Sequence, residues 1–169
     1  KFLHYIPHIA MLTSIEFDHA DIYKDFSQIE SAFRKFIKII PSHSKLIACG
    51  EDENVIRLSG EGVCNTESYG IDSNSDWRLE EPHRDKGKNL FSVSYNSKYF
   101  GRINTNLIGR HNLLNLLGSV AVLSNAGLSA EEINRGIESF KGIKRRQEIV
   151  GEVKGITIID DFAHHPTAV

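Results

Sequence analysis

Residues 9–49 read IAMLTSIEFDHADIYKDFSQIESAFRKFIKIIPSHSKLIAC, and the change of period within them decides the fold class. Ile9 to Ile15 is an apolar, partly β-branched run, too continuous for a half-exposed strand and suited to the middle of a parallel sheet. A loop from Glu16 to Asp25 follows. Ser27 to Ile40 then places Ile29, Phe33, Phe36, Ile37 and Ile40 on one helical face, and Pro41 ends the pattern. Lys45 to Cys49 reads as a second short buried strand. A strand, a crossover helix and a strand of this kind form an α/β unit of fixed handedness, whose ligands collect at the carboxyl ends of the strands. The loop after Ile15 lies at such an end.

Further along, the period shortens. Asn54 to Leu107 contains short alternating segments, notably Leu90 to Tyr95 and Lys98 to Ile103 around the turn signal Asn96-Ser97, which predict a hairpin and its neighbours. Within this region Ser73 to Lys88 is polar, carries Pro82 and Gly87, and reads as a long loop with Trp77 as an isolated anchor. His111 to Asn125 is a strongly apolar helix stopped at Ala126-Gly127. Ser129 to Glu132 spells a capping box that starts a helix running to about Phe140. Glu148 to Val153 and Ile156 to Ile159 are two strands separated by Lys154-Gly155. The expected fold is therefore α/β: an incomplete doubly wound, mostly parallel sheet with a β-hairpin insertion, over 1–142, followed over 143–169 by a hinge and the first strands of a second α/β domain.

Bulk properties narrow the function classes. The chain has 169 residues, 40% of them hydrophobic and 25% charged, enough for a substantial buried core and not the composition of a disordered segment. A formal net charge of -2 supplies no general attraction to nucleic acid. The one basic cluster, Lys141 with Lys144, Arg145 and Arg146, suits a local phosphate, or is a solvated charge run. Cys49 and Cys64 lie far outside metal-ligand spacing, and no signal peptide or long apolar span is present. Both read as reduced thiols in a cytoplasmic protein that does not enter the membrane. Lys1 is not an initiator Met, and the sequence is expected to be an internal piece of a longer protein.

Three clusters could carry chemistry. Glu16 to Asp21 sets three carboxylates and His19 directly behind a buried strand, where one or two side chains could hold magnesium together with waters and phosphates; a solvated acidic loop is the alternative. Asn112 and Asn115, three apart at the start of the apolar helix, project from one face and can offer a donor and an acceptor to a purine edge; alternatively Asn112 simply caps the helix. Asp160 to Thr167 packs two acids and His164-His165 at a strand end, suited to metal binding, acid-base work or a sugar hydroxyl. A polar turn in which Pro166 starts a helix is the alternative there.

Taken in order, the strings KFLHYIP, TSIEFDHADIY, AFRKFIKIIP, GRHNLLNLLGSVAV, FKGIKRRQE and IIDDFAHHPTAV resemble the Mur ligase family, ATP-dependent enzymes that build and recycle the peptide stem of the bacterial cell wall. Within the family, IEFDHAD preceded by KFLHY is similar to the member that joins murein tripeptide to UDP-N-acetylmuramate, and the member that adds L-alanine stands second. The resemblance implies ATP and Mg2+ as cofactors. It implies His19 at magnesium; His111, Asn112 and Asn115 at adenine; and Asp161 at the ribose. It also implies Arg145 or Arg146 at the nucleotide phosphates, with His164 and His165 near nucleotide or substrate. Several relatives carry a carbamylated lysine at about the position of Arg34, and no such role is carried over.

The family's phosphate-cradling turn ending Gly-Lys-Thr does not occur in this sequence. The chain by itself is therefore expected to be catalytically inactive, and a sheet lacking its first strand is expected to favour a homodimer through the exposed edge. A metal-dependent hydrolase built on Asp160, Asp161, His164 and His165, and a noncatalytic nucleotide-binding module, are the rival readings.

Overall fold

Leu46, Ile47, Ala48 and Cys49 are consecutive, and none exposes more than 2% of its surface, so their strand is covered on both faces, as its unbroken apolar run requires. In the computed structural model, which describes residues 4–18, 22–72, 74–85 and 87–163, this strand is β2 (Lys45–Cys49). It pairs in parallel with β1 (Ile9–Leu12) on one side and β3 (Asn65–Gly70) on the other. Helix α1 (Phe26–Ile39) crosses from β1 to β2, and α2 (Glu53–Ser59) from β2 to β3. Right-handed crossovers that advance in one direction lay both helices on the same face of the sheet. Helix α3 (Arg110–Asn125) covers the face bearing Met11 and Tyr69, so closely that a Cβ at Gly118 would stand 2.8 Å from Met11 Sδ and 2.9 Å from Tyr69 Cζ.

The sheet continues through β4 (Trp77–Asp85), parallel to β3, then β5 (Lys88–Tyr95) and β6 (Lys98–Thr105), both antiparallel. Its order is β1-β2-β3-β4-β5-β6. Asn96 and Ser97 join β5 to β6 with φ of 49° and 62°, the left-handed pair that a two-residue hairpin turn demands. The edge strand β6 is protected by α4 (Ala130–Ser139): Asn134 Oδ1 accepts the backbone N–H of Asn104 at 2.9 Å, and Glu138 accepts from the Asn104 amide at 3.0 Å. Ser129 and Glu132 close the capping box at the start of α4, each side chain accepting the other's backbone N–H.

The chain divides into two compact units, Lys1–Glu138 and Ser139–Val169. The second contains the antiparallel hairpin of β7 (Glu148–Val153) and β8 (Ile156–Asp160), which turns at Lys154 and Gly155 with φ of 52° and 78°. Ile149, Val150, Val153 and Ile156 on this hairpin are each more than half exposed.

The mixed α/β architecture and its mostly parallel sheet match the expectation, but three local readings do not. Ser73–Lys88 is not a long loop around an isolated tryptophan, because Trp77 to Asp85 is strand β4 and Trp77 belongs to the core. The strand tolerates Pro82 because the register slips between Glu80 and His83, with Glu81 at φ 53°, so the missing proline N–H falls in a bulge. Residues 54–59, expected among alternating segments, belong to the helix Glu53–Ser59: Asp52 caps it by accepting the N–H of Val55 at 2.9 Å. Finally, strand pairing stops at Leu12, although Ile15 remains buried.

Candidate functional site

The parallel strands β1, β2 and β3 end together at Leu12, Cys49 and Gly70, and the segments leaving them form one rim. Asp52 organises its first part. Besides capping α2, its other oxygen accepts the backbone N–H of Ile15 at 3.1 Å, while Asn54 donates to the Ile15 carbonyl at 3.3 Å. The chain leaving β1 is thus anchored just before Glu16, Phe17 and Asp18, all three exposed. His19, like Ala20 and Asp21, lies outside the described residues.

Glu51 organises the second part. One of its oxygens accepts the backbone N–H groups of Ile71 and Asp72, the latter at 2.9 Å, and the other meets the Arg110 guanidinium. Arg110 also pairs with the Asp72 carboxylate. Burial works to raise the Glu51 pKa, but the Arg110 guanidinium and the two backbone N–H groups outweigh it and hold the carboxyl below its usual range. The two carboxylates in turn push Arg110 further toward its charged form.

Arg110 opens α3, whose N-cap is Gly109 at φ 91°, a conformation costly for any residue with a Cβ. The cap position therefore belongs to Gly109 and not to Asn112. The Gly109 carbonyl accepts the Asn112 N–H at 3.1 Å, and the Asn112 side chain donates to the Ile108 carbonyl at 2.7 Å. Asn112 is half-buried, and His111 and Asn115 are exposed beside it. All three thus stand at the head of α3, next to the rim that Glu51 and Arg110 close.

In the second unit, Arg145 and Arg146 gather around Phe162. The Arg145 guanidinium lies 4.9 Å from the ring centroid and that of Arg146 lies 6.0 Å away, while the Phe162 N–H donates to the Arg145 carbonyl at 2.8 Å. Arg145 also approaches Asp160 at 3.7 Å. Asp161 is exposed, and its carboxylate accepts the Ala163 N–H at 2.9 Å. Arg145, Arg146 and the acids Asp160 and Asp161 at the end of β8 therefore form one neighbourhood, whereas His164 and His165 lie outside the described residues. Among the described residues no group of three or more His, Cys, Asp and Glu could hold a metal ion. The exposed Glu16 and Asp18 carboxylates are hard donors of the kind magnesium takes one or two at a time. Among those residues, too, no helix is long and apolar enough to cross a membrane.

Besides the Glu51–Arg110–Asp72 cluster, two arrangements escaped the sequence reading. Arg34, on α1, holds Glu61 through two bonds of 3.0 and 2.8 Å and Glu30 at 2.8 Å, fastening α1 to the turn after α2. Glu67, on β3, is 5% exposed and accepts from Lys45, from Trp77 Nε1 at 2.7 Å, from Tyr95 at 3.0 Å and from Asn125 at 2.9 Å. The sequence signal for Glu67 was its inward parity in an alternating strand. Nothing in the spacing of its four donors reveals that they meet.

Comparison with known proteins agrees with this architecture. Residues 2–123 match the model of the Mur ligase middle domain. UDP-N-acetylmuramate–L-alanine ligases from Caldanaerobacter subterraneus subsp. tengcongensis and Clostridium acetobutylicum are 36% and 40% identical to the chain over its whole length. The chain spans 37% of the length of each. The solved structure of a murein peptide ligase from Psychrobacter arcticus superposes with a TM-score of 0.72 at 33% identity, covering 99% of this chain and 34% of that one. With its mostly parallel sheet, its crossover helices and a family match over most of its residues, the chain belongs to the Mur ligase family.

Proposed function

We propose that this chain supplies much of the nucleotide-handling part of an ATP-dependent amide-bond ligase that extends UDP-N-acetylmuramate in cell-wall synthesis or recycling. The observation that carries the reading is the head of α3, where Asn112 and Asn115 stand together beside the rim at the carboxyl ends of a parallel sheet. ATP would give its γ-phosphoryl group to the acceptor carboxylate with ADP leaving, and the amine would then attack the acyl carbon and displace inorganic phosphate. The residues of this chain position anions and offset charge. Asn112 and Asn115 present amides to adenine with His111 at its flank, Asp161 takes the ribose, and Arg145 and Arg146 carry positive charge to the phosphates. His19 holds Mg2+ with the acidic segment that follows β1, and His164 and His165 serve nucleotide or substrate. The organisation proposed is a central domain to about Gly142, a hinge through Arg146 and the opening strands of a further domain.

The amine proposed is murein tripeptide, on the strength of the strings KFLHY and IEFDHAD and of the 33% identity to a murein peptide ligase. L-Alanine is the second reading, favoured by identities of 36% and 40% to L-alanine ligases. The deciding experiment measures ADP release by the protein encoded by the whole gene, with UDP-N-acetylmuramate and each amine in turn. Turnover with tripeptide and not with L-alanine is expected. The reverse would move the protein to the second reading, and ADP release that needs neither amine would end the ligase proposal.

A further inference from the structure

We infer that Arg110, held between Glu51 and Asp72, is a positioning residue that sets the head of α3 for nucleotide binding. The inference rests on the reading of α3 as the adenine-facing helix.

The Arg110 guanidinium stands in an unfavourable place for a positive charge. Arg110 is the first residue of α3, where the helix dipole presents partial positive charge and where Gly109 offers no side-chain cap. A cation there opposes the dipole, so arginine at this position has to be compensated by something other than the helix. Two carboxylates do so: Glu51 from the end of β2 and Asp72 from the end of β3. Glu51 is the fixed member, with its side chain 14% exposed and two backbone N–H groups from the β3 exit on its other oxygen. Asp72, at 77% exposure, is the solvent-facing one.

One guanidinium therefore ties the exits of two neighbouring strands to the helix start, and its planar fork defines distance and angle together. Asn112 is two residues further on and Asn115 five. A shift or fraying of the first turn carries both amides with it. By contrast, the body of α3 is held by the buried Leu116, Leu117, Val120 and Ala121, which do not depend on Arg110. Loss of the clamp should thus loosen the head of the helix and leave the core in place.

The experiment uses the protein encoded by the whole gene and compares R110M, R110K, D72N and N112A for kcat, for KM of ATP and of UDP-N-acetylmuramate, and for preference of ATP over GTP. R110M is expected to raise the KM for ATP about 10-fold and to lower the ATP-over-GTP preference in step with N112A, with kcat and the other KM within about 2-fold. R110K, which keeps one ion pair, should fall between R110M and wild type. D72N removes only the exposed arm and gives a smaller change of the same kind, which keeps the test open if R110M fails to fold. If N112A alters ATP handling and neither R110M nor D72N does, the clamp is refuted while the adenine reading stands. If N112A itself has no effect on ATP, the adenine reading fails and the positioning role falls with it.

Discussion

Replacing Glu67 tests how the sheet is held together at its polar centre. Its carboxylate divides its work by oxygen: Oε1 accepts from Lys45 and Tyr95, and Oε2 from Trp77 and Asn125. In Glu67→Ala all four donors lose an acceptor, but not equally. Lys45 is partly exposed and can turn to water, and Asn125 keeps its bond to the Ala121 carbonyl at 2.9 Å. The Trp77 indole is 2% exposed, stacked on Tyr95 at 4.4 Å and set edge-on to Phe100 at 5.0 Å, so its N–H is stranded. One stranded donor plus the lost charge-assisted bond from Lys45 gives a loss of about 3–4 kcal/mol. Glu67→Gln is gentler, since its amide can turn its oxygen to Trp77 and Asn125 and donate to Tyr95, leaving mainly Lys45 uncompensated; about 1–2 kcal/mol is expected. Urea unfolding followed by far-UV circular dichroism and by fluorescence of Trp77, the sole tryptophan, measures both.

Acid adds an independent check on the same residue. Burial raises the Glu67 pKa, but the bonds from Lys45, Trp77, Asn125 and Tyr95 outweigh it and leave the folded value below the ordinary 4.5. A depressed folded pKa means that the unfolded chain binds the proton more readily, so the contribution is complete above about pH 4.5 and is lost as pH falls through the folded value. The gap between wild type and Glu67→Gln should narrow on acidification. Equal stability of the two at pH 7, or a gap that widens in acid, would refute the network as described.

Two glycines on helices should respond oppositely to alanine. Gly118→Ala sets a methyl group against Met11 Sδ and the buried Tyr69 ring, so overpacking exceeds the gain in helix propensity and the unfolding free energy falls by about 1–2 kcal/mol. Gly136→Ala, with nothing within 4 Å of the new Cβ, should stabilise by about 0.5–1 kcal/mol in the same denaturation assay. Asp52→Ala removes both the cap of α2 and the acceptor of the Ile15 N–H, and a loss of about 2 kcal/mol is expected. Amide hydrogen exchange should then quicken at Val55 and at Ile15 together, and protection unchanged at Ile15 would show that the link between the two segments is not made.

How much of this was legible depended on range. The buried run of β2, the single apolar face of α1 and the Ser129 to Glu132 capping box are patterns of neighbours, and each appears where its spacing places it. The hairpin turn at Asn96-Ser97 is equally local. Strand β4 was missed because Pro82 and a polar stretch mark a loop in any short window, and only pairing to β5 across a bulge makes that segment a strand. Helix α2 was missed for want of length: seven residues, closed by the Asp52 cap, show too few turns for a period to emerge. In the candidate site, Asn112 and Asn115 were visible as an amide pair, whereas Glu51 and Asp72 looked like two acids among many.

The sequence by itself determined the kind of layers, the carboxyl-edge position of the segment after β1 and the family, since each depends on the order and period of residues along the chain. Tertiary structure alone decided which charges meet. Glu51, Asp72 and Arg110 converge because parallel pairing brings the ends of β2 and β3 side by side and α3 begins above them. Glu67 likewise finds donors from three strands and a helix. Such contacts depend on register, and register is settled by burial summed over the whole sheet, which no local window contains.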